Sequence, residues 1–158
     1  MNNRVKTPLT EHFTLEEFTK SASHPEIKNV PNATQKENII RVAEWLEILR
    51  ARYNELYPRE DGKETPIIIN SGFRSKMLNY AVGGSPTSNH LEGCAVDIKC
   101  QDCEQAVKFI TILLQEFKKR NGARFDELFI EKLGVRFWVH FAVRKDKNRC
   151  KVSCYTAD

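Results

Sequence analysis

Two stretches hold side chains able to do chemistry together: Ser88-Asn89-His90-Leu91-Glu92-Gly93-Cys94-Ala95-Val96-Asp97 and Phe137-Trp138-Val139-His140. Both read as ending in strands, where successive side chains point to opposite faces. Val96 and Ile98 then share one face and Asp97 takes the other. Phe137, Val139, Phe141 and Val143 likewise share a face, with Trp138, His140 and Ala142 opposite. Each strand thus offers an apolar side for packing and a polar side bearing a metal-ligand type. His90 sits just upstream of Asp97, near Gly93, which lets the backbone turn sharply. Two imidazoles and one carboxylate make a three-ligand zinc set with a fourth position open for water, as in catalytic rather than structural sites. Taken singly, His90 also reads as an ordinary loop histidine and His140 as a structural one at a strand end. The separated ligands match no short local motif.

The five cysteines are Cys94, Cys100, Cys103, Cys150 and Cys154. Cys100-x-x-Cys103 and Cys150-x3-Cys154 could form a second, structural zinc site. The alternative is free thiols near strand and helix ends. An odd count, and an N-terminus with no apolar run of signal-peptide type, lead us to expect reduced thiols in a cytoplasmic chain.

Elements that would position the candidate ligands follow from periodicity. Thr14–Glu17 reads as a capping box opening a short helix, and Thr34–Glu37 as a second one. Ile39, Val42, Trp45, Leu46, Leu49, Tyr53 and Leu56 recur at helical spacing, giving a long amphipathic helix that ends before Pro58. Pro66–Asn70 is a β-branched run and reads as a buried strand. Ser75–Ala81 reads as a short helix stopped by Gly83-Gly84, and Cys94–Lys99 as a strand. Asp102 caps a further helix with apolar positions Ala106, Phe109, Ile110, Leu113, Leu114 and Phe117, ended by Gly122. Phe125–Glu131 and Phe137–Val143 read as strands joined by a turn around Gly134, and Cys150–Tyr155 as a last edge strand. The expected architecture is one α+β domain over residues 1–158, with helices packed on a small, mostly antiparallel sheet.

Composition narrows the function classes. At 158 residues, 41% hydrophobic and 29% charged, the chain can build a core and is not a disordered polymer. Its longest apolar runs are too short to span a bilayer. A net charge of +4 suits an anionic polymer. There is no Lys/Arg stripe interleaved with aromatics, so nucleic acid is not an expected partner.

SNHLEGCAVD at 88–97 resembles the S-x-H-x-x-G-x-A-x-D signature of the zinc D-alanyl-D-alanine carboxypeptidase family, the M15 peptidases. Trp138-Val139-His140 resembles the family's second histidine motif. INSGFRS at 69–75, followed by LNYAVGGSPTS, resembles its upstream segment. LTEHFTLEEFTKS at 9–21 resembles the start of the phage and bacterial, endolysin-like branch. The resemblance runs from about Leu9 to Val143 and implies the small α+β fold shared with the hedgehog signalling domain. It implies Zn2+ as cofactor, held by His90, Asp97 and His140. Arg74 and Ser88 fall on the substrate side: Arg74 matches the arginine that binds substrate and stabilises developing negative charge, and Ser88 the serine that supports the site by hydrogen bonding.

One position departs from the pattern. Many relatives carry the catalytic carboxylate three residues before the second histidine, where this chain has Phe137. Glu131 is the nearest replacement. A hairpin turning near Val135-Arg136 would set it across from His140 on the same face. Glu92 is the fallback.

The expected function is a zinc-dependent peptidase, carboxypeptidase or endopeptidase, that hydrolyses peptide bonds in peptidoglycan stem peptides. The alternative is a non-catalytic, zinc-containing peptidoglycan-binding module. We expect a monomer without membrane insertion, made in the cytoplasm, that reaches the cell wall through phage-type release.

Overall fold

The computed structural model describes residues 6–156. Its elements are helices α1 (Leu15–Thr19), α2 (Ala33–Leu56), α3 (Lys76–Ala81) and α4 (Cys103–Lys119), a 3-10 turn at Asn89–Glu92, and strands β1 (Ile69–Ser71), β2 (Ala95–Cys100), β3 (Glu127–Leu133), β4 (Arg136–Ala142) and β5 (Lys151–Thr156). The strands form one five-stranded sheet in the order β1-β2-β4-β3-β5. All pairings are antiparallel except β3 with β5. The α+β class expected from the sequence is what the chain adopts.

The core lies on one face of this sheet. Ile39, Val42, Leu46 and Leu49 of α2 and Phe109, Leu113 and Phe117 of α4 are buried with Val96, Ile98, Leu128, Val139 and Phe141 of the strands. Phe117 meets Phe141 edge-on at 6.1 Å and stacks on Trp45 at 3.6 Å. Burying each of these aliphatic or aromatic side chains is worth roughly 1.5–3 kcal/mol. The alternation that buries Val96 and Ile98 here turns Asp97 to the opposite face.

Several boundaries shift for local reasons. The cap of α2 is Asn32, not Thr34. Its Oδ1 accepts from Gln35 N–H at 2.9 Å, and Gln35 Oε1 accepts from Asn32 N–H at 2.8 Å. That reciprocal box starts the helix at Ala33 and leaves Thr34 inside it. The 66–70 run alternates instead of being wholly buried: Ile67 and Ile69 point inward while Ile68 is 45% exposed. The ladder itself runs over Ile69–Ser71. In α4, Ile112 is buried and Leu114, expected in the core, stands 36% exposed. The Asp102 cap is as expected, accepting from Gln105 N–H at 2.8 Å, but the helix ends at Lys119 with Arg120 as its C-cap, before Gly122.

Candidate metal centre and active cleft

Register brings the two histidine motifs together. Asp97 pairs directly with His140 across the β2–β4 ladder. His90 arrives from the 3-10 turn, which Ser88 caps by accepting His90 N–H on its Oγ at 3.3 Å. Gly93 closes that turn with φ +72°, a conformation that strains any side-chain-bearing residue, and a Cβ there would lie 2.7 Å from the Gln35 carbonyl. His90, Asp97 and His140 are all buried. Their donor atoms converge: His90 Nε2 lies 3.3 Å and His140 Nδ1 3.0 Å from Asp97 Oδ1. Among the described residues this is the one group of three or more His, Cys, Asp or Glu able to hold a metal ion together.

The other polar atom of each ligand is already engaged. His90 Nδ1 donates to the Gly72 carbonyl at 2.6 Å. Gly72 is required there because a Cβ would lie 2.5 Å from the Phe18 carbonyl oxygen. Asp97 Oδ2 accepts from Arg74 Nη2 at 2.9 Å, and Arg74 Nε also donates to Ser71 Oγ at 3.0 Å. Ser71 stands opposite Asp97 after a register irregularity in β1. His140 Nε2 faces Glu127 Oε2 at 3.1 Å. Both His90 Nε2 and His140 Nδ1 are thereby aimed at one carboxylate oxygen.

The electrostatics match this geometry. Burial alone would raise the Asp97 pKa, but His90 and His140 outweigh it and hold the carboxyl far below the usual range. Burial would lower the His140 pKa, yet the Asp97 and Glu127 hydrogen bonds lift it to about 9. His140 is thus held between two carboxylates, Asp97 on its Nδ1 side and Glu127 on its Nε2 side. A divalent cation in that place would replace the Nδ1 proton.

A cleft of about 860 Å3 opens beside the cluster, lined among others by Ser71, Arg74, Asp97, Lys99, Glu131 and Trp138. Glu131 pairs with Trp138, and it is Phe129 that lies directly across from His140, the two rings stacked at 5.4 Å. Glu131 is therefore diagonal to His140 on the same face, one pair further along than the sequence suggested. Its Oε2 accepts from Trp138 Nε1. Burial, with the Asp97 charge adding to it, raises the Glu131 pKa. Arg74 lines the same cleft, whereas Ser88 acts on the backbone of His90.

The structure also engages residues that sequence reasoning passed over. Glu127, Asn89, Asp126, Arg144 and Arg149 form a network behind His140, described below. Only Glu127 carried a signal, lying two and four residues before Phe129 and Glu131 on one strand face. The four-cysteine site is not formed. All five thiols are free, and Cys100 on β2 and Cys154 on β5 have two strands between them. Burial pushes the Cys94 thiol up to about 11 and the Cys100 thiol up to about 12, as for packed, unreactive cysteines.

No helix among the described residues is long and apolar enough to cross a membrane. No curated protein matches the chain. The family model described as peptidase M15 matches residues 11–124, a span that contains Arg74, Ser88, His90 and Asp97 but stops short of β3 and β4. The fold itself carries the third donor to the other two, by pairing β4 with β2. A match over more than half of the chain, with His90 and Asp97 inside it, means that this chain belongs to the peptidase M15 family.

Proposed function

We propose that this M15 peptidase is zinc-dependent and hydrolyses peptide bonds in peptidoglycan stem peptides. The observation that carries the reading is the convergence of His90 Nε2, Asp97 Oδ1 and His140 Nδ1 beside a cleft that also holds Glu131 and Arg74. Two imidazole nitrogens and one carboxylate oxygen suit zinc, and each ligand is held from behind by a separate partner. Zinc, when bound, would supply a Lewis acid that polarises a scissile carbonyl and makes water easier to deprotonate.

The chain's own residues supply the rest. Glu131 takes the proton from the attacking water and delivers it to the leaving amine, a role suited to a carboxylate with a raised pKa. Trp138 fixes that carboxylate through its indole N–H. Arg74 has five N–H donors, of which its contacts with Asp97 and Ser71 use two, so it retains capacity for a substrate carboxylate or a developing oxyanion. Ser88 contributes by holding the His90 turn. Lys99 and Arg136 add positive charge along the cleft, in keeping with an anionic peptide polymer. Release by a phage-type pore belongs to the same proposal, and purified protein acting on intact sacculi would support it.

Zinc content tests the site. One zinc per chain is expected in the wild type and in a Cys100→Ser/Cys103→Ser variant, with loss of zinc in His140→Ala. Full zinc in His140→Ala would remove the assignment.

A further inference from the structure

We infer that Glu127 is the positioning residue that turns His140 toward the metal: it accepts the Nε2–H, so that Nδ1 is the nitrogen presented beside Asp97. This rests on the zinc reading above.

An imidazole offers a metal either nitrogen, and the bond made by the other one decides which. His140 has a carboxylate on each side, with Asp97 Oδ1 3.0 Å from Nδ1 and Glu127 Oε2 3.1 Å from Nε2. The Asp97 side is where His90 Nε2 also points. The Glu127 side is closed by protein donors. Asn89 Nδ2 gives to Glu127 Oε2 at 2.9 Å and Arg149 Nη2 gives to Glu127 Oε1 at 2.5 Å. Asn89, Arg149 and the His140 ring thereby engage both Glu127 oxygens, and Glu127 is not part of the metal cluster.

The network also ties the two histidines to each other. Asn89 precedes His90 in the turn, and its Nδ2 also reaches Asp126 Oδ2 at 2.7 Å. Its Oδ1 accepts from Arg144 Nε at 2.8 Å. Arg149 bonds Asp126 Oδ1 through Nε at 2.9 Å and Asp126 Oδ2 through Nη2 at 2.5 Å. One carboxylate, Glu127, therefore touches both the residue beside His90 and the ring of His140. A displaced Asn89 would move both ligands.

The test uses the full chain and zinc itself. Zinc affinity is measured by chelator competition for wild type, Glu127→Ala and Glu127→Gln, alongside nitrogen-15 spectra of the histidine rings in the zinc-loaded wild type. Glu127→Ala is expected to bind zinc about 10–100-fold more weakly, the usual cost of losing such a partner. Glu127→Gln keeps an acceptor oxygen among the same donors and is expected to recover most of that affinity. The wild-type spectrum is expected to show His140 protonated at Nε2 and metal-bound at Nδ1. It decides without any variant having to fold. Metal on His140 Nε2, or Glu127→Ala binding zinc as tightly as wild type, would overturn the inference while leaving the zinc reading intact. Absence of zinc from the wild type would sink both.

Discussion

Asp97 and His140 face each other across the β2–β4 ladder with Asp97 Oδ1 3.0 Å from His140 Nδ1. They stand 43 residues apart in the chain. Strand pairing, rather than local sequence, makes them neighbours. The β3–β4 pairing in turn sets Glu131 beside Trp138 on the face that lines the cleft.

Replacing Glu131 tests the base. Glu131→Gln is expected to keep zinc and fold while losing at least about a hundredfold in turnover. The pH profile adds a sign. Glu131 must be unprotonated to accept a proton, and its pKa is raised by burial and by Asp97. Activity should therefore fall on the acid side as Glu131 takes up a proton, and Glu131→Gln should lose that limb. Turnover near normal in Glu131→Gln would pass the role to Glu92 or leave water without a side-chain base.

Asp126 makes a stability prediction. It is fully buried, which alone would raise its pKa, but hydrogen bonds from Arg149 and Asn89 bring it down to about 2. A depressed carboxylate stabilises the fold above its unfolded pKa near 4 and loses that contribution as pH falls toward about 2. Denaturant unfolding should show roughly 2 kcal/mol lost over that window, and Asp126→Asn should flatten it.

Gly72 tests the link between packing and site. A methyl group there would meet the Phe18 backbone at 2.5 Å. Gly72→Ala is expected to cost about 1–3 kcal/mol by overpacking. Because the Gly72 carbonyl holds His90, zinc affinity should fall as well. A melting temperature and affinity equal to wild type would show that this approach is not tight.

Much of this was legible in the residues. His90 and Asp97 share one short segment, and His140 sits on a period-two strand whose apolar face is plain. The long helices follow from apolar residues at helical spacing. What stayed hidden depends on register or on contact. Glu127 shares a strand face with Glu131, but its contact with His140 emerges only when β3 is paired with β4, and the diagonal placement of Glu131 follows from the same register. Asn32 was passed over as a cap because Thr34 and Glu37 offer a competing box two residues on. The parallel docking of β5 on β3 depends on the path of the 143–150 segment, which has no periodicity to read.

The most direct test of the central claim is the appearance of new amino groups from purified peptidoglycan, followed for zinc-loaded, chelator-treated and zinc-restored protein. The account predicts release by the loaded protein, none after chelation, and recovery on adding zinc. Equal release with and without chelator, or no release by the fully loaded protein, would contradict it.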